Sequence, residues 1–150
     1  MRRFAAILVA ALTMTSCGGT DPAPAAPLDT GFARTWTGVP TVTCTGFAPV
    51  IYPSTSVELT VSGNSLTSTL LCTVGGGISV TATGSGSTAT WSGSSNCPPD
   101  VQEGCPSGLV FTHTSRTYTL NADGTLTVSG TGTLSCGGAT TGCTTGFSGT

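Results

Sequence analysis

Few side chains in this sequence can do chemistry, and most of those are cysteines. There are seven: Cys17, Cys44, Cys72, Cys97, Cys105, Cys136 and Cys143. An even set of six after the first suits a disulfide framework in an exported domain, where the surroundings are oxidising. Spacing does not fix the pairing. Chain proximity favours Cys97 with Cys105 and Cys136 with Cys143, each closing a short Gly- or Pro-containing loop, and leaves Cys44 with Cys72. A zinc site is the competing use of clustered cysteines. The chain has no C-x2-C spacing, and His113 is its only histidine, so no metal and no other cofactor is expected.

Acid–base and nucleophilic catalysis need titratable partners held together. His113 lies among serines and threonines, and Asp123 would complete a Ser–His–Asp arrangement. No Gly-x-Ser-x-Gly elbow accompanies them. His113 alternates in phase with Phe111, which reads as an inward, structural histidine. Asp100 and Glu103 form the only close pair of carboxylates. They could bind calcium with backbone carbonyls, but no EF-hand or repeat pattern supports them, and a solvated loop is the plainer reading. The expectation is a protein that is not an enzyme. Past residue 17 the cations are Arg34 and Arg116 against six carboxylates, a formal charge of −4, and lysine is absent. Such a chain has no basic patch for phosphates, which excludes nucleic acid as a partner.

Cys17 is the odd cysteine, and what surrounds it gives it a role. Arg2 and Arg3 open the chain, and Phe4 to Met14 is apolar except for Thr13. This pattern suits a secretory signal and falls short of the roughly 20 apolar residues that span a bilayer. It ends Met14-Thr15-Ser16-Cys17, which resembles the lipobox of bacterial lipoproteins. The resemblance implies cleavage before Cys17, diacylglycerol on its thiol and a fatty acyl group such as palmitate on its amino group. Two or three acyl chains make a stable membrane anchor, whereas one does not. Cys17 is thus the candidate lipidation site and the membrane the expected partner. The residue after Cys17 is Gly18 and not the Asp that retains enterobacterial lipoproteins in the inner membrane. The resemblance therefore implies the outer membrane, with the domain in the periplasm or on the cell surface.

Three regions follow: residues 1–16 as a cleaved signal, 17–30 as the lipidated cysteine and its tether, and 31–150 as one domain. The tether holds Pro22, Pro24 and Pro27 among small residues and is extended. In the domain, Thr and Ser make up about a third of the chain, and no stretch sustains a 3.6-residue apolar period. Period-2 alternation is common, as in Val57-Glu58-Leu59-Thr60-Val61 and Ile78-Ser79-Val80-Thr81-Ala82. Ser62-Gly63-Asn64, Gly84-Ser85-Gly86 and Asn121-Ala122-Asp123-Gly124 read as hairpin turns.

The fold expected is all-β, an antiparallel meander of about eight to ten short strands. It would close as a small disulfide-stapled barrel, with a β-sandwich as the alternative. Ser92 to Ser107 reads as one long irregular connection, because Pro98, Pro99 and Pro106 do not suit a central strand. Phe32-Ala33-Arg34-Thr35-Trp36-Thr37-Gly38 resembles the opening strand of lipocalin-like barrels, where a tryptophan closes the floor, a part Trp36 would play. Two functions remain open. One is a structural or interaction module of the cell envelope, which nothing in the sequence contradicts. The other is a lipocalin-like or lectin-like module binding an apolar small molecule or a glycan, which would want an open apolar cavity beneath Trp36.

Overall fold

The structure is a computed structural model that describes residues 25–72, 74, 76–102 and 105–150. The signal segment, Cys17 and most of the tether lie outside the described residues, as does Glu103. The described chain forms one 3₁₀ turn, Thr30–Phe32, and eleven strands. These are β1 (Thr35–Cys44), β2 (Val50–Ile51), β3 (Thr55–Glu58), β4 (Thr60–Ser62), β5 (Ser65–Leu71) and β6 (Gly77–Ser85). Then follow β7 (Thr88–Asn96), β8 (Asp100–Gln102), β9 (Cys105–Leu120), β10 (Leu126–Cys136) and β11 (Ala139–Gly149).

All pairings between these strands are antiparallel, and they build a single sheet. The principal strands sit beside their sequence neighbours, and β11 returns to lie against β1. The sheet curls as a half-barrel. β3 pairs with β1 and β4 pairs with β5, with only Leu59 between them. Thr55–Ser62 is thus one bent strand that links the two ends of the sheet, and the Leu59 amide donates to the Arg34 carbonyl at the bend. Linking the ends this way leaves less open edge for aggregation.

Alternation of side chains across the sheet builds the core. In β5, Leu66, Ser68 and Leu70 are buried while Thr67 and Thr69 are exposed. Turns Gly63-Asn64, Gly86-Ser87 and Asn121–Thr125 lie at one end, here called the lower end. Gly124 there has φ +80°, which glycine takes without the steric cost of a Cβ. The Asn121 amide donates to the Thr125 carbonyl at 2.8 Å, and Asp123 Oδ1 accepts from the Thr125 amide and hydroxyl. The core fills the lower end with Phe32, Trp36, Leu59, Leu66, Ala82, Ala89, Tyr118, Leu126 and Phe147.

Leu28 also belongs to that core. Its amide donates to Gly63, and the Asp29 amide donates to Gly86. Leu28 packs with the body because an apolar side chain here gains by burial under the lower turns. Asp29 then caps the 3₁₀ turn by accepting from the Gly31 amide at 2.8 Å.

The disulfides correct the pairing expected from chain proximity. They are Cys44–Cys143, Cys72–Cys97 and Cys105–Cys136, with separations of 99, 25 and 31 residues. Neighbours across a meander of long strands are distant in sequence, so strand adjacency decides the pairing. Cys44 stands directly opposite Cys143 in the β1–β11 ladder. Cys72 directly follows β5 and Cys97 directly follows β7, the strands flanking β6. All three bonds lie at the upper end.

The region around the prolines also differs from expectation. β7 runs on to Asn96 and β9 begins at Cys105, with β8 between them. Pro106 is tolerated because this part of β9 pairs with β8 alone, through Gln102 with Cys105 and Asp100 with Leu109. The β10 ladder joins only at Val110. A proline with a single neighbouring strand does not break a two-sided ladder.

Candidate functional site

The inward face of β9 carries the most unusual side chains of the described body: His113, Arg116 and Tyr118. Strict alternation would put His113 and Arg116 on opposite faces. The ladder with β10 shifts register between Thr131 and Gly132, so that His113 faces Gly132 while Ser115 faces Thr131. Thr114 is the extra residue of a β-bulge, and a bulge re-aims the side chains beyond it. β7 accommodates this with its own shift between Ser92 and Ser95. His113, Arg116 and Tyr118 all turn inward as a result.

His113 is 2% exposed, and neither ring nitrogen has a hydrogen-bond partner. Its ring meets Phe111 edge-on with centroids 4.8 Å apart. Burial lowers its pKa from 6.5 to about 4, helped by the Arg116 cation, while the nearby Leu71 carbonyl opposes the shift. At neutral pH it is an uncharged imidazole. The ligand atoms of His113, Cys72 and Cys97 lie within 4.8 Å of one another. The two sulfurs are bonded to each other, so they are neutral disulfide sulfur and not the thiolates that a metal requires.

Arg116 stands opposite Gly130 and Trp91. Its Nε is buried with no hydrogen-bond partner, and burial lowers its pKa, with Tyr118 acting in the opposite sense. Among the described residues no carboxylate forms an ion pair with it. Tyr118 is 1% exposed, with its hydroxyl buried and lacking a partner. Burial raises its pKa, partly offset by Ser68 and Arg116. Ser68 is the other buried polar side chain of the interior.

The remaining candidates are dispersed. Asp123 lies in the exposed lower turn, its pKa lowered by the Thr125 hydroxyl and amide, and the fold does not bring it to His113. Asp100 lies in β8. Trp36 is fully buried and donates from Nε1 to the Phe32 carbonyl at 3.0 Å, so the space around it is packed core. Two shallow depressions open elsewhere. One lies under the lower turns, with Asp29, Arg34 and Asn121 in its wall. The other is threonine-lined, beside the Cys44–Cys143 bond.

Several exposed apolar side chains lie toward the upper end, spread over different strands. Phe47 follows β1, Val50 and Ile51 form β2, Val74 lies between β5 and β6, and Val101 is in β8. Ile51 and Val101 are more than two-thirds exposed, at 71% and 73%.

Sequence reading placed His113 inward but passed over Arg116. Its inward aim depends on a bulge in a run of serines and threonines that carries no alternation to read.

The three disulfides place the protein in an oxidising, extracytoplasmic setting. No helix of the described residues is long and apolar enough to cross a membrane. Comparison with known protein families, characterised proteins and solved structures gives no match for the chain.

Proposed function

We propose that this is a cell-envelope lipoprotein, anchored through lipid on Cys17, whose β domain is a non-catalytic structural or interaction module. One observation carries the reading: the two ends of the domain are unlike. The described chain enters the domain at the lower end, where Leu28 bridges to Gly86. The stapled upper end, with its apolar side chains, points away from that attachment. A short tether would thus keep the lower end toward the lipid and offer Phe47, Ile51 and Val101 to the surroundings. Exposed apolar side chains at one end suit contact with another envelope protein.

The scattered positions of His113, Asp123 and Asp100 support a non-catalytic role. Gly18 supports the outer membrane as destination. The test is to label cells with radioactive palmitate and, in parallel, to replace residues 1–17 by an ordinary cleavable secretory signal. The native chain should take up label and resist extraction by alkaline carbonate. The replaced chain should be unlabelled and released by that wash. An unlabelled native chain, or a replaced chain that still resists the wash, would refute the anchor.

A further inference from the structure

The three disulfides differ in what stands beside them. Cys72–Cys97 has an imidazole for a neighbour: the ligand atoms of Cys72, Cys97 and His113 lie within 4.8 Å of one another. His113 belongs to β9, whereas Cys72 follows β5 and Cys97 follows β7, so three separate strands bring the cluster together. His113 is almost wholly buried, and neither of its ring nitrogens has a hydrogen-bond partner. A buried polar atom left unpaired is unfavourable and asks for a reason. Here the reason lies in the other redox state of the adjoining bond.

Opening that bond changes the chemistry of the cluster. A dithiol reductant attacks one sulfur, passes through a mixed disulfide and leaves as its own disulfide. Its two electrons and two protons stay behind on Cys72 and Cys97 as thiols. Two cysteine sulfurs and one imidazole are soft donors, a set that suits Cu(I). Metal–sulfur and metal–nitrogen bonds of about 2.3 and 2.1 Å put a sulfur and a nitrogen on one ion at most about 4.4 Å apart. His113 is therefore already close to bonding reach. No separate cavity is required, because the ion takes the place of the S–S bond. Cys72 lies beyond the end of β5 and is only half-buried, so its sulfur has space to part from Cys97.

Charge and ligand number favour the cuprous ion over zinc. Two thiolates around Cu(I) carry a single net negative charge. Arg116, whose buried Nε has no hydrogen-bond partner, acts electrostatically on His113, and its cation offsets that charge. Zinc would leave the cluster neutral and would want a fourth ligand where the cluster offers three.

We propose that Cys72, Cys97 and His113 form a redox-gated site for one cuprous ion, closed to metal while the disulfide stands and opened when a dithiol reduces it. On binding, each thiol gives its proton to solvent, and the copper keeps its oxidation state. This goes beyond the envelope role and stands or falls separately from the lipid anchor.

In the experiment the full detergent-extracted protein is reduced anaerobically with dithiothreitol, desalted, and titrated with Cu(I) against the chelator bicinchoninate. X-ray absorption then reads the copper shell. The reduced protein should hold about one Cu(I) tightly, and the oxidised protein none. The shell should contain two sulfurs and one nitrogen, from the three residues of the cluster. Cys72→Ser combined with Cys97→Ser should lose this ion, and His113→Leu should weaken it about tenfold or more. Equimolar Zn(II) should not displace the copper. The shell of the native protein is read without any variant having to fold. A shell of sulfur alone, or no tight copper in the reduced protein, would overturn the proposal. So would copper held equally well by the Cys72→Ser, Cys97→Ser variant, uptake by the oxidised protein, or displacement by zinc.

Discussion

Cys44 and Cys143 face each other across the first and last long strands, with Cα atoms 4.0 Å apart and their sulfurs bonded. This one bond closes 99 residues of chain and ties β1 to β11 at the upper end. The other two bonds close 25 and 31 residues.

Loop entropy ranks the three bonds. Constraining the unfolded chain is worth about 4.7 kcal/mol for the long loop and roughly 3.5 kcal/mol for each shorter one. Replacing Cys44 and Cys143 together by alanine should therefore destabilise the domain most, by roughly 1 kcal/mol more than either other paired replacement. Denaturant unfolding of the three double variants checks the order. Equal losses, or a smaller loss for Cys44 and Cys143, would contradict it.

The packed core at the lower end makes a second prediction. Trp36 is wholly buried, and Arg34 covers its ring while reaching the β9–β10 turn. Trp36→Ala removes a large core side chain and should cost about 3–5 kcal/mol. Arg34→Gln loses the cation–π contact and much of the tie to Gly124, and should cost about 1–2 kcal/mol. Thermal melting distinguishes the two. If Trp36→Ala cost no more than Arg34→Gln, the packed core around Trp36 would be wrong.

His113 makes stability depend on pH in a definite direction. Its folded pKa of about 4 lies below the ordinary 6.5, so between those values the unfolded chain binds the proton more readily. Its contribution is complete above pH 6.5, falls as the pH drops toward 4, and then levels off. The loss across that window is up to about 3 kcal/mol. His113→Leu should remove that part of the slope. Urea unfolding at several pH values would show it, and an unchanged slope in the variant would contradict the buried neutral imidazole.

How much of this was legible in the sequence depends on the range of the physics involved. Asn121 to Gly124 was readable as a turn because its chemistry is local: a glycine at positive φ and an Asp that accepts from the next residues. Alternation in β5 and β6 was readable because one face of each meets the core. The disulfide partners were not, since the bonding partner of Cys44 is set by which strands lie side by side, and β1 meets the last strand of the meander. Arg116 was missed because the bulge at Thr114 reverses the inside–outside phase without altering composition. The candidate site is therefore the least readable part of the chain, although all of its residues are plain in the sequence.

The account rests on the fate of the seven cysteines, which one measurement reads together: intact mass of the membrane-extracted protein under non-reducing conditions, followed by peptide mapping. It predicts a chain beginning at Cys17 with diacylglyceryl mass on the thiol, no free thiols, and peptides linked as Cys44–Cys143, Cys72–Cys97 and Cys105–Cys136. A cleaved chain without lipid mass would contradict the anchor, and a link between Cys97 and Cys105 would contradict the fold.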